Sequence, residues 1–162
     1  MSSPIENSAL DSTPLAHGRL VVIVPDQHRL AEKQAISVHD LAREDLVGVD
    51  SGDPYGAALA RPFEEAGINP NYVMRGRFAQ TVVSLVRHGL GLAIIDEFSV
   101  AEVYMPGLTR RPLVENAQIT AWVVSKKGRQ MSSFAEHAVG QFRRELTKAV
   151  QREEWDQPGM RE

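Results

Sequence analysis

Apolar residues along this chain fall mostly into short continuous runs, separated by turn-forming residues. Leu20-Val21-Val22-Ile23-Val24 ends at Pro25 and predicts a strand covered on both faces. Leu46 to Val49, Tyr72 to Met74, Leu92 to Ile95 and Ile119 to Val124 predict further strands. Helix signals lie between them. Ser37 and Asp40 form a capping box for a short helix through Arg43. Asp53 caps and Pro54 opens a helix to Glu65 or Ala66, bent or shortened by Pro62 and stopped by Gly67. Gln80 to His88 is helical, with Gly89 as its stop. Asp96 to Glu115 reads as irregular. Ser133 and Glu136 form a second capping box, opening the longest helix to about Arg152. Phe134, Ala138, Phe142 and Leu146 recur every four residues and mark its expected buried side.

The alternation of strand and helix predicts an α/β fold with a mostly parallel sheet flanked by helices. Residues 1–18 read as a flexible N-terminal segment and 153–162 as a disordered tail. No apolar run approaches the roughly 18 residues of a membrane span, so no membrane partner is expected.

Composition narrows the chemistry. Charged residues make up 24% and the formal charge is −3, without the basic face expected of a domain that binds DNA by itself. The absence of cysteine excludes disulfides and thiolate catalysis, and fits a reducing cytoplasm. The five histidines have no i, i+4 metal spacing, so no metal is expected. Gly89-Leu90-Gly91 ends a helix and opens a strand, the reverse of a nucleotide fingerprint, and nothing calls for a cofactor. Asp96 and Glu97 are adjacent in extended chain and point apart, a poor arrangement for paired acid–base work. The chain reads as a binder rather than an enzyme.

Ligands of open parallel sheets sit beyond the carboxyl ends of the strands. Three segments fall there. Ser51, Gly52, Tyr55 and Gly56 lead into a helix N-terminus whose amides attract an anion; a plain capped turn explains them equally. Arg77, Phe78 and Gln80 precede the next helix. Arg77, or Arg75 beside it, offers a bidentate carboxylate partner, while Phe78 is either a pocket wall or a hydrophobic staple. Asp96 follows the fourth strand and offers a carboxylate to an amine or guanidinium. Together they suit an amino acid or a derivative of one.

In order along the chain, Leu20 to Ala31, Ser37 to Ala42, Phe63 to Gly67, Val83 to Ile95 and Ser132 to Phe142 resemble the effector-binding domain of LysR-type transcriptional regulators. The resemblance covers about residues 19–150. Asp96 stands where the family usually has proline, a variant similar to the branch sensing opines and basic amino acids. The resemblance implies a periplasmic-binding-protein-like sensor of two lobes with the effector between them. Residues 19–125 would form one effector-binding lobe with its crossover strands, and 126–152 the returning C-terminal helix of an incomplete second lobe. DNA would be bound only through an absent N-terminal domain. The last helix would lack its usual partner, so a homo-oligomer or a partly ordered C-terminus is expected. The alternative is a dimerisation module that has lost ligand binding.

Overall fold

The computed structural model describes residues 9–52, 54–101 and 105–153. Its longest strand, β1 (Leu10–Pro25), has two halves with different partners. Residues 10–19 pair antiparallel with β6 (Gln118–Lys126) in a two-stranded ribbon. Residues 20–25 run between β4 (Ala93–Asp96) and β5 (Leu108–Pro112), antiparallel to both. β2 (Asp45–Val49) and β3 (Asn71–Gly76) pair in parallel. A parallel bridge, Leu46 to Leu92, joins β2 to the start of β4.

Across the body the order is therefore β3, β2, β4, β1, β5, with β1 alone running against the others. Pairing is parallel only over β3, β2 and β4; the expected mostly parallel sheet does not extend to β1, which is antiparallel to both its neighbours. A continuous apolar run reports burial on both faces and says nothing about strand direction. The ribbon also corrects, for residues 10–18, the expectation that residues 1–18 form a flexible segment. From Leu10 onward the chain is strand, held mainly by main-chain bonds to β6, so its polar composition carried no strand signal. The register shifts between Pro14 and Ala16, an irregularity that accommodates a residue without a ladder donor. Residues 1–8, Asp53 and 154–162 lie outside the described residues, and with them the Asp53 cap and most of the expected tail.

The short helices follow their sequence signals. Ser37 and Asp40 make the reciprocal box at α1 (Val38–Leu41). α2 (Pro54–Glu65) runs through the buried Pro62 without being shortened, and Gly67 follows it at φ 66°. α3 (Ala79–Arg87) stops at Gly89, φ 76°. Gly91 lets the next strand approach β2 closely, since a Cβ there would collide with the carbonyl of Asp45. The Gly-Leu-Gly tripeptide is thus a helix stop and a close crossing.

The stretch after Asp96 is less irregular than expected. It contains α4 (Glu97–Val100) and β5. β5 reads Leu-Thr-Arg-Arg-Pro, but its arginines turn inward to main-chain carbonyls: Arg110 to Val100 at 2.8 Å, Arg111 to Ala31 at 2.8 and 3.1 Å. The core gathers Val22, Ile23, Ile36, Leu46, Phe63, Val86 and Ile95 between sheet and helices. Each such side chain contributes about 1.5–3 kcal/mol by leaving water.

α5 (Ser133–Glu153) contacts β1 and α4, but none of its residues whose burial is described joins the buried core. Phe134 is 82% exposed and Phe142 63%, so the side expected to be buried is not. The four-residue period records a face made for packing, and the described residues do not cover it. The cap is also displaced by one residue: Ser132 Oγ accepts from Ala135 N at 3.2 Å.

Candidate functional site

β2, β3 and β4 share one direction, so their carboxyl ends lie at one edge of the sheet. Two hydrogen bonds tie the loops there together. Asp50 N donates to Gly76 O at 3.0 Å, joining the ends of β2 and β3. Tyr55 Oη donates to Asp96 Oδ2 at 2.5 Å, joining the first turn of α2 to the end of β4. The three segments singled out from sequence are thus gathered at one rim.

On the first loop, Ser51 and Gly52 are exposed and Tyr55 is half-buried. Gly52 N donates to Asp50 Oδ1, which fixes a tight turn. Gly56 is buried, and a Cβ there would collide with the carbonyl oxygen of Asp50. Its close approach brings α2 onto the end of β2. Burial, then the neighbouring Asp96 carboxylate, raise the Tyr55 pKa far above its usual 10, so the phenol stays protonated and donating.

On the second loop, Phe78 is 63% exposed and stands at the N-cap of α3, where its side chain caps nothing. A staple residue would sit one position earlier and be covered, so Phe78 is not a hydrophobic staple. Arg77 and Gln80 are exposed. The Arg77 guanidinium carbon lies 5.7 Å from the Phe78 ring centroid. Arg75 is committed elsewhere, stacked over Tyr72 at 4.1 Å and donating to Val49 O at 3.2 Å.

On the third loop, Asp96 is 4% exposed and already engaged. It caps α4 through Ser99 N at 2.9 Å and accepts from Ser99 Oγ at 2.6 Å as well as from Tyr55. Its observed work is to hold two loops together. Glu97, the first residue of α4, reaches toward β1. It is 1% exposed, and Oε1 accepts from Arg19 N at 2.5 Å. Burial raises its pKa, outweighing the opposing effects of the Arg19 amide and guanidinium. Sequence reasoning missed Arg19, and weighed Glu97 only as an acid–base partner of Asp96. The available signal was a second carboxylate inside the apolar stretch from Leu92 to Val100.

Among the described residues no group of three or more His, Asp or Glu is placed to hold a metal, and no helix is long and apolar enough to cross a membrane. A surface concavity at the β6–α5 turn, lined by Lys126, Arg129, Met131 and Ser132 among others, lies apart from this rim.

Comparison with known proteins agrees with this architecture. Residues 1–147 match the family described as LysR substrate binding domain. An uncharacterized HTH-type transcriptional regulator of Methanocaldococcus jannaschii, MJ0300, is 26% identical over 129 residues, 78% of this chain and 44% of the relative. Among solved structures, the regulatory domain of CcmR from Synechocystis PCC6803, in complex with 2-PG, superposes with TM-score 0.71 at 20% identity, covering 93% of this chain and 71% of that one. The effector binding domain of QuiR, in complex with shikimate, gives TM-score 0.69 at 20% identity, covering 95% and 70%. These likenesses show the fold. The chain spans less than half the length of the curated relatives it matches.

Proposed function

Because the chain belongs to the LysR substrate-binding domain family, we propose that it is the ligand-sensing part of a transcriptional regulator and binds a small metabolite at the rim of its sheet. The observation that carries this reading is the pair of bonds, Tyr55 to Asp96 and Asp50 to Gly76, that gathers three strand-end loops at one edge. The CcmR and QuiR domains, solved with 2-PG and shikimate, lend support by analogy of fold.

The ligand in this reading is amphoteric, an amino acid or an opine. Its acidic end meets the first-turn amides of α2 and α3, with Ser51, Gly52, Gly56 and Gln80 shaping the approach and Arg77 offering a paired donor. Tyr55 and Phe78 flank it. Asp96 receives the ammonium group by sharing it with the Tyr55 hydroxyl. The ligand is released unchanged. DNA is contacted by a separate N-terminal domain of the parent regulator, in the cytoplasm, and the chain associates with its own copies. The exposed Phe134 and Phe142 favour that last point.

Thermal unfolding in the presence of a panel of amino acids and opines tests the reading. A ligand at a hundred times its Kd stabilises the folded state by about 2.7 kcal/mol, a rise of roughly 5–10 °C for a chain of this size. A panel in which no compound raises the melting temperature contradicts it.

A further inference from the structure

We propose that Arg19 is an anion-binding residue of the rim, held in position by the buried Glu97 carboxylate, and that it takes the carboxylate or phosphate group of the ligand. The proposal rests on the sensor reading and adds a side-chain anchor to the helix amides and Arg77 for the ligand's acidic end.

Position comes first. The β1–β4 register sets Leu20 opposite Asp96, so Arg19 is the first residue of β1 beyond the end of β4. It is also where β1 leaves its central place in the sheet and enters the ribbon, pairing there with Gln118 of β6. The three loops and the ribbon therefore depart from the same edge.

The geometry of the pair comes second. Glu97 is fixed by main chain, because Oε1 accepts from Arg19 N at 2.5 Å. Its other oxygen, Oε2, is buried without a hydrogen-bond partner and lies 3.5 Å from Arg19 Nε. An uncompensated buried carboxylate is costly, and this guanidinium is the cation that compensates it. Yet the arginine is only half covered: its side chain is 44% exposed, against 1% for Glu97. A guanidinium that faces a carboxylate through Nε keeps its Nη edge for a second partner, in the planar geometry that suits carboxylate and phosphate.

Contrast with the other arginines sharpens the assignment. Arg75, Arg110 and Arg111 end on the main-chain carbonyls of Val49, Val100 and Ala31, as structural arginines do. Arg19 instead leans on a buried acid with its outer part in solvent. Arg77 is exposed and lies beside the ring of an exposed Phe78 rather than a buried acid.

The test follows the arginine Nε–Hε signals of the full chain by NMR during titration with sodium acetate and, separately, sodium phosphate, with ionic strength held constant by sodium chloride. The proposal expects a saturable shift of the Arg19 signal with at least one anion, and the stronger of the two names the ligand group. Followed in the variants through the backbone amides of residues 19 and 97, the saturable response should be abolished by Arg19→Gln and weakened severalfold by Arg19→Lys, which keeps the charge and loses the fork. Glu97→Gln retains an oxygen for the Arg19 amide and so should fold, but the Arg19 Nε–Hε should become more mobile; unchanged mobility would overturn the positioning role. A saturable response confined to Arg77 or the amides of Phe78 to Gln80 overturns the Arg19 assignment and leaves the sensor reading standing. No saturable response anywhere sinks both.

Discussion

At the scale of single residues, charge and close approach decide behaviour at the rim. Burial raises the Glu97 pKa above its ordinary 4.5, so the folded chain binds that proton more tightly than the unfolded chain. The stability linked to this proton is fully present below the ordinary value and is lost as pH rises through the higher folded value. Glu97→Gln removes the titration. Its melting temperature should therefore gain on the wild type as pH rises from about 4 to 8, with the largest advantage at the upper end. A variant that falls further behind with rising pH would show that attraction to Arg19 outweighs burial. Gly56 is constrained by space. A methyl group there meets the Asp50 carbonyl, main chain that cannot turn aside. Gly56→Ala should cost roughly 1–3 kcal/mol in urea unfolding, as overpacking does. An unchanged midpoint would mean the α2 entry is looser than described.

At the scale of elements, signals that act locally were readable and those that depend on distant partners were not. The capping box at Ser37, the stops at Gly67 and Gly89 and the double-faced run from Leu20 to Val24 each follow from neighbours in sequence. β5 was not legible, because its arginines find their carbonyls only once Ala31 and Val100 are in place. Residues 10–18 were not legible because β6, more than a hundred residues away, makes them a strand. The site divides likewise. The three rim loops were visible as strand-to-helix turns, but the Arg19–Glu97 pair depends on the register of β1 against β4. α5 is the element whose pattern and surroundings disagree. With Phe142 63% exposed, Phe142→Gln should change stability by no more than about 0.5 kcal/mol in dilute chain. A loss near the 3–5 kcal/mol of a buried phenylalanine would show that something covers this face in solution.

At the scale of the whole molecule, one body of β3, β2, β4, β1 and β5 carries the rim, and a ribbon leads from that rim to α5. Within the LysR substrate-binding domain family, the use proposed for that arrangement is recognition of a metabolite by the loops that Tyr55 and Asp96 hold together. The most direct check is an amide chemical-shift map of the chain titrated with the amino acid or opine that most raises its melting temperature. The account predicts shifts concentrated at residues 18–20, 51–56, 77–80 and 96–99, all saturating with one Kd, with the ligand recovered chemically intact. Saturating shifts centred anywhere else, or a ligand returned as a different compound, would contradict it.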